Sequence, residues 1–385
     1  MNLTISVNNL IAARKLLTRL RFERFTLPVL THVLATIDNA GLTLAVTDLD
    51  HWLETRVPAI TDPFTPARFL IPAEALKAAA RGDKGSSAHF VYTEAAEGTT
   101  LTLTTSCRGL SVKSVYPLVT TAEDFPSRPI VEGRITALPK ETFAALGIVA
   151  GCASTDATRH ILNSVYFTPN DGGMLIATDG RRLAGAPARV PSREFVLPSS
   201  AVHVLVHSDF STRDAAVLQA DETKDLHIQF RSGPHTFIAK TLEGHYPNYQ
   251  NVIPGYLPQS VTIPETHRAA LITWLQSLTG RSSSVRLTWE TPGHLTLTHR
   301  NCDTVGATIQ IPVTTKGQPP EIAFDPKYLA DALEIGLTLR LVDKLNPGLA
   351  TSPSGNFCVL MSQRFTEKTA EVETASETPA PAMAA

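Results

Sequence analysis

The chain repeats itself, and a repeat of this length constrains the fold before any residue is given a role. Phe69-Leu70-Ile71-Pro72-Ala73-Glu74-Ala75-Leu76 returns 126 positions later as Phe195-Val196-Leu197-Pro198-Ser199-Ser200-Ala201-Val202. It returns again after 127 more, in looser form, as Ile322-Ala323-Phe324-Asp325-Pro326-Lys327-Tyr328-Leu329. Each copy reads as an apolar strand, a proline where a helix begins, and apolar residues at helical spacing. Proline fits the first helical turn because its missing N–H has no partner there in any case. A second marker is Thr47-Asp48 after the run Leu42-Thr43-Leu44-Ala45-Val46. It is matched 131 positions later by Thr178-Asp179 after Met174-Leu175-Ile176-Ala177, where Asp179-Gly180 predicts a hairpin turn. A third pair, Asp124-Phe125-Pro126 and His245-Tyr246-Pro247, lies 121 positions apart. Helix-like segments over 7–20, 138–150 and 264–278 open the three units. Units of about 120–130 residues have the size of domains and exceed solenoid repeats of about 20–45 residues. The expected division is therefore 1–128, 130–255 and 260–366, each with its own core, followed by a tail over 367–385.

Composition narrows the function. With 43% hydrophobic residues, 385 residues can fill three cores. Charged residues are 18% of the chain and the formal net charge is −2, which argues against gripping nucleic acid by overall positive charge. Cys107, Cys152, Cys302 and Cys358 lie far apart without a Cys-x-x-Cys, so neither a zinc site nor a disulfide framework is expected, and a reducing cytosol is the default. The N-terminal segment leads into an amphipathic helix with Arg14 and Lys15, unlike a secretory signal. No apolar run approaches the ~20 residues that span a bilayer, so no membrane partner is expected. Gly-x-Gly-x-x-Gly and Walker-type loops are missing from the sequence, and no nucleophile is paired with a base, so neither a cofactor nor catalysis is expected.

Several local features carry two readings. The first helix, capped by Asn8 or Asn9, places Leu10, Ile11, Leu16, Leu17 and Leu20 toward a core and leaves Arg14, Lys15 and Arg19 on its polar side. Such a one-sign face is either simply solvated or looks at phosphates. A second helix near 73–81 carries Lys77 and Arg81 but also Glu74. His203 and His207 stand at i and i+4, yet no third ligand is spaced nearby, so ordinary histidines are expected. The helix with Leu271, Ile272, Trp274, Leu275 and Leu278 has more apolar surface than one small core needs, and either burial or a partner-facing edge explains it. The tail, with Glu367, Glu371, Glu373 and Glu377 against Lys368 and almost no large apolar side chain, is expected to be disordered.

Taken together, these residues resemble the bacterial sliding clamp family, the beta subunit of DNA polymerase III, over essentially all of residues 1–365. The resemblance rests on Thr26-Leu27-Pro28-Val29-Leu30, Thr47-Asp48-Leu49, Asp124-Phe125-Pro126, Ala177-Thr178-Asp179-Gly180-Arg181-Arg182-Leu183 and Tyr246-Pro247-Asn248-Tyr249, in that order and spacing. It implies an α+β fold of three tandem clamp domains, each with two helices packed on antiparallel sheets. The resulting crescent would dimerise head to tail into a six-domain ring around duplex DNA, with the helices on the inner wall. Such a protein is a non-catalytic processivity subunit in the bacterial cytoplasm, associated with the nucleoid. Enclosure supplies retention, so phosphate contacts can be few and sequence-blind.

Carried over position by position, the resemblance implies DNA contacts at Arg24, Arg14, Lys15, Arg19, Lys77, Arg81 and His160. His160 and Ile161 stand where the family usually has two tyrosines, and Glu74 where it often has a basic residue. A cleft between the second and third domains would take short linear motifs of polymerase subunits, the clamp loader and repair proteins. Its matching positions are Leu162, Thr178, Gly180, Arg182, Leu183, Pro247 and Val252, with Val359, Leu360 and Met361 from the last strand. Asn251 replaces a frequent arginine, and Met361-Ser362-Gln363-Arg364-Phe365 replaces the usual Met-Pro-x-Arg-Leu end. For the dimer contact the resemblance pairs Leu110 and Val112 with Trp274, Leu275 and Leu278. The altered end keeps open a divergent paralogue serving a specialised repair or mobile-element polymerase. From another class, the alternative is an enzyme acting on DNA or sugars through an unrecognised site.

Overall fold

Each repeat marker lands on the same structural corner in the computed structural model, which describes residues 1–20, 27–62, 66–96, 98–212, 214–219, 226–278, 283–300 and 306–364. The first lobe runs β1 (Asn2–Ser6), α1 (Val7–Leu17), β2 (His32–Asp38), β3 (Gly41–Thr47), β4 (His51–Val57), β5 (Ala59–Asp62), β6 (Ala67–Pro72), α2 (Ala73–Ala79), β7 (Ser87–Ala95), β8 (Gly98–Cys107) and β9 (Leu110–Leu118). The second repeats this order with one strand fewer between its helices. It comprises β10 (Arg134–Leu138), α3 (Lys140–Ala150), β11 (Ser164–Thr168), β12 (Met174–Thr178), β13 (Arg182–Pro187), β14 (Phe195–Pro198), α4 (Ser199–Val206), β15 (Ala215–Gln219), β16 (His227–Ser232) and β17 (His235–Lys240). The third does so again. Its elements are β18 (Gln259–Thr262), α5 (Glu265–Ser277), β19 (Ser284–Thr288), β20 (His294–Arg300), β21 (Thr308–Pro312), β22 (Thr314–Lys316), β23 (Ile322–Phe324), α6 (Pro326–Ile335), β24 (Thr338–Leu341), β25 (Gly348–Thr351) and β26 (Phe357–Leu360).

Local chemistry explains the corners. Pro72 and Pro198 occupy the N-cap positions of α2 and α4, and Pro326 the first turn of α6, where Asp325 accepts from the Lys327 and Tyr328 amides. The cap of α1 differs from expectation. Asn8 and Asn9 lie inside the helix, and Ser6 is the cap, its hydroxyl accepting from the Asn9 N–H at 3.2 Å. The helix ends at Leu17 and tightens into a 3₁₀ turn over Thr18–Leu20, where the Thr18 hydroxyl donates to the Arg14 carbonyl at 2.8 Å. Leu10, Leu16, Leu17 and Leu20 are buried as the periodicity predicts, and each fully buried side chain contributes about 1.5–3 kcal/mol.

Among the described residues the strands form four sheets, and two of them run through lobe boundaries. An eight-stranded sheet has the order β10-β15-β16-β17-β4-β3-β2-β6, and a nine-stranded sheet β14-β11-β12-β13-β26-β25-β24-β18-β22. The second lobe's last strand, β17, pairs with β4 of the first, aligning Trp52 with Ile238. The third lobe's last strand, β26, pairs with the corresponding β13 of the second, aligning Leu183 with Val359. The remaining sheets, β5-β1-β7-β8-β9 and β21-β20-β19-β23, end in the strands β9 and β21. Helices pack in pairs within each lobe, and residues just after α1 touch α4. Across the second boundary, α3 and α6 line a common cavity with Gly151 and Glu334 on its walls. The helices thus form one row.

The β8–β9 turn that presents the free edge is pinned by Asp83. Its carboxylate accepts from the Ser106 hydroxyl and from the Arg108 and Gly109 amides at 2.7 and 2.8 Å. The Ser106 bond, then the two amides, hold that carboxyl below its usual range. The associated stabilisation is present above the ordinary carboxylate pKa and is lost as pH falls through the lower folded value.

Gly185 on β13 faces Phe357 on β26, and the aromatic ring lies across its backbone. A Cβ there would stand 2.3 Å from the ring's Cζ. Gly185→Ala is expected to displace Phe357 and cost about 1–3 kcal/mol. A urea midpoint equal to that of the parent protein would show that the ring moves aside freely.

Candidate functional site

The second boundary is built around one turn. Thr178 Oγ1 donates to the Arg182 carbonyl at 2.6 Å and accepts from the Gly180 N–H at 3.0 Å. Gly180 has φ 86°, in the left-handed region that glycine adopts without strain. The Asp179 carboxylate accepts from the Arg181 and Arg182 amides at 2.8 and 3.0 Å and from Arg182 Nε at 3.1 Å. That fixes the guanidinium. Its Nη2 donates to the Gly151 carbonyl at 2.8 Å, its Cζ lies 4.6 Å from the Tyr328 ring centre, and its Nη1 meets the Asp331 carboxylate. A cation only 5% exposed therefore joins the second lobe's turn to α6 of the third. Behind it, the Cys152 and Cys358 thiols hydrogen-bond across the boundary. This contact lowers the pKa of Cys152 and, with burial, raises that of Cys358.

An apolar cleft of about 190 Å³ opens above this tie. Leu162, Thr178, Gly180, Arg182 and Leu183 line it from the second lobe, Pro247 and Val252 from the connector, and Val359 and Met361 from the last strand. Leu360 does not belong to it. Side chains alternate along β26, so Leu360 enters the main core while Val359, buried in a smaller cluster with Leu183 and Tyr249, and Met361 face the cleft. Arg181, Asn248 and Tyr249 also line the cleft and were not singled out from the sequence as site residues. The signal for two of them lay beside the Tyr246-Pro247 copy of the aromatic-proline marker, since a connector that contributes Pro247 must bring its neighbours. Tyr166 stacks on Tyr246 with centroids 4.9 Å apart, and Tyr249 meets it edge-on. Burial, helped by the bond to Glu194, pushes the Tyr166 phenol up to about 12, and burial also raises Tyr246. With Leu162, Leu183, Pro247, Val252, Val359 and Met361 on its walls, the cleft offers mainly apolar surface.

The basic positions divide into groups. Arg14, Lys15 and Arg19 share a cavity of about 570 Å³ with Ala80 and His203, at the junction of the first and second lobes. Lys77 is exposed on α2, which packs on α1, and Arg81 is exposed just beyond it. His160 is exposed elsewhere, in the loop whose Arg159 reaches the Asp179 carbonyl at 3.4 Å, beside the cleft. Arg24 lies outside the described residues, as do Phe365 and the acidic tail. His203 and His207 have ring centres 4.5 Å apart, and among the described residues no group of three His, Cys, Asp or Glu side chains is placed to hold a metal ion.

At the free edges, Leu110 and Val112 are exposed on β9. Leu275, expected on a dimer surface, is instead fully buried in its own lobe, because the face of α5 that carries Leu271 and Leu275 packs inward. Trp274 and Leu278 are half-buried against that same core.

Removing the boundary cation should be costly, since the carboxylates of Asp179 and Asp331 would lose the partner they share. Arg182→Ala is expected to lose about 3 kcal/mol of stability, as when one partner of a buried ion pair is deleted. Arg182→Lys should restore little of it, because the ammonium lacks the planar fork. Urea denaturation of the full chain checks this, and a loss below about 1 kcal/mol would refute it.

No protein-family profile matches the chain. It is 29% identical over 357 residues to the beta sliding clamp of Chlamydia pneumoniae, covering 88% of this chain and 92% of that protein. It is 27% identical over 354 residues to the beta sliding clamp of Caulobacter vibrioides, covering 86% and 90% respectively. Among solved structures, the Caulobacter crescentus beta sliding clamp superposes with a TM-score of 0.82 at 26% identity, over 95% of this chain and 99% of that one. The Bacillus subtilis sliding clamp shares the fold, with a TM-score of 0.81 at 18% identity over 95% and 100%. No described helix is long and apolar enough to cross a membrane. In both sequence and architecture, over most of its length, the chain is similar to the bacterial beta sliding clamps.

Proposed function

We infer that this protein is a DNA sliding clamp, a non-catalytic subunit that confers processivity on a DNA polymerase by encircling duplex DNA. The observation that carries the ring is the repeated boundary rule. Twice within the chain the last strand of one lobe pairs with the fourth strand of the lobe before it. The same rule applied once more pairs β9, the last strand of the first lobe, with β21, the corresponding strand of the third lobe in a second copy. Both strands end their sheets. Two chains related head to tail would satisfy both contacts and close a ring of six lobes. The helix row supports the same reading, since it would bring α5 of one copy beside α2 of the other.

The basic cavity with Arg14, Lys15 and Arg19 would then face the enclosed duplex, with Lys77 and Arg81 nearby. Contacts this few are adequate when topology supplies retention, and they let the clamp slide. The apolar cleft would take short linear peptides of polymerase subunits, the clamp loader and repair proteins, anchored by apolar side chains against Leu183, Val252 and Val359. A bacterial cytoplasmic location, alongside the nucleoid, follows from that role.

Native mass spectrometry of the full chain should find a dimer, and Leu110→Asp with Val112→Asp should convert it to monomer while each lobe stays folded. The dimer, loaded on a closed DNA circle, should be retained until the circle is cut. Retention that persists on the cut DNA would replace enclosure with ordinary binding.

A further inference from the structure

The two lobe boundaries are copies of one design, and comparing them exposes a second site. At the boundary between the second and third lobes, Leu183 and Val359 face each other beneath the connector that carries Tyr246 and Pro247. At the boundary between the first and second, Trp52 and Ile238 take those places, beneath the connector that carries Phe125 and Pro126. Here the apolar cleft is filled by the chain itself. Trp52 meets Phe125 edge-on with centroids 5.9 Å apart, and both belong to a closed cluster with Ala122, Val131 and Ile238.

Beside that plug, on the same face of the eight-stranded sheet, lies a cavity of about 820 Å³ of different character. Four arginines line it from four parts of the chain: Arg56 on β4, Arg68 on β6, Arg128 on the connector and Arg231 on β16. Two carboxylates line it as well, and both are engaged. Glu54 accepts from Trp52 Nε1 at 2.6 Å and from Arg128 Nε at 3.0 Å, and Asp38 accepts from the Ala40 N–H at 2.8 Å. Arg128 is held further by Gln229, whose amide oxygen accepts from its Nη2 at 3.0 Å. Among the described residues, Arg56, Arg68 and Arg231 form no ion pair, and all three are exposed. Glu54 neutralises Arg128, while the amide bond to Asp38 leaves that carboxylate charged, so a chain with a formal net charge of −2 sets four guanidiniums against two carboxylates around one basin.

We propose that this basin is a second partner-docking site, which takes an extended, carboxylate-rich peptide segment. Its dimensions select the occupant. From β16 to β6 the sheet order is β16-β17-β4-β3-β2-β6, five inter-strand steps of about 4.8 Å, or about 24 Å. No small anion bridges that distance, whereas about seven residues of extended chain at about 3.3 Å each do. Guanidinium forks match carboxylates bidentately, and the floor offers the hydroxyls of Thr36, Thr43 and Thr236 to a peptide backbone. Single-stranded nucleic acid fits less well. The only aromatic residue in the lining is Trp52, 3% exposed and covered by Phe125, so bases would find no stacking platform. The site is independent of whatever fills the apolar cleft.

The test uses the full-length dimer and a fluorescent oligoglutamate peptide of about ten residues, followed by anisotropy at low ionic strength. The parent protein should bind it, with affinity falling as salt shortens the Debye length. Arg56→Gln with Arg231→Gln should weaken binding at least about tenfold, while Arg340→Gln, an exposed arginine on β24 of the third lobe, should leave it unchanged. Both variants should keep the parent's native mass. Absence of binding by the parent protein, an equal loss in Arg340→Gln, or displacement by oligothymidylate of equal charge at equal or lower concentration would each overturn the proposal.

Discussion

An antiparallel strand at the edge of a sheet carries N–H and C=O groups that need partners, and this chain meets that need by extending its sheets from lobe to lobe. The β17–β4 and β26–β13 ladders fix both the spacing and the orientation of neighbouring lobes. A ladder hydrogen bond contributes about 1 kcal/mol net, less than the roughly 1.5–3 kcal/mol from burying one large apolar side chain. The ladders therefore supply direction, and the apolar clusters around Trp52 and Leu183 supply most of the strength. Helix row, connector paths and cleft positions all follow from that register.

The two boundaries also show how one design diverges. The turn after β3 repeats the threonine bonds of the turn after β12: Thr47 Oγ1 donates to the His51 carbonyl at 2.7 Å and accepts from the Leu49 N–H at 3.1 Å. Leu49 holds φ 80° where Gly180 holds 86°, so the side-chain hydrogen bonds of Thr47 and Asp48 impose a conformation that leucine alone would avoid. His51 stands where Arg182 stands. It pairs with Asp48, stacks on Phe237, and reaches no farther than Ser200, whereas the longer guanidinium reaches Asp331 and Tyr328. Large aromatic residues then close one boundary, and smaller aliphatic ones leave the other open.

Much of this was legible in the sequence because it is periodic. The strand-proline-helix marker located α2, α4 and α6, and the Thr-Asp marker located both boundary turns. Most cleft residues lie within a few positions of the Thr-Asp and Tyr-Pro markers or in the last strand, so spacing and resemblance could reach them. What escaped was set by facing and by contact between distant segments. Leu360 differs from Val359 only in which side of β26 it occupies, and Leu275 differs from an interface residue only by the rotation of α5. The Ser6 cap was hidden by two asparagines that are equally able to cap. Arg182 reads as one of two adjacent arginines, and nothing local announces that Asp331, 149 positions on, completes its ion pair. The arginine basin assembles from segments as distant as Arg56 and Arg231, and no linear pattern gathers them.

The connectors carry one more consequence. Inside the chain both boundaries have a ladder, helices brought side by side, and a covalent strap pressing Phe125 or Tyr246 onto the sheet. The strap holds its two lobes at high effective concentration, so a transient break recloses at once. In the closed ring we propose, the seam between copies has the first two attachments and lacks the third. Mechanical load applied anywhere on such a hoop would therefore part it at the seam between copies, where no covalent strap recloses the break.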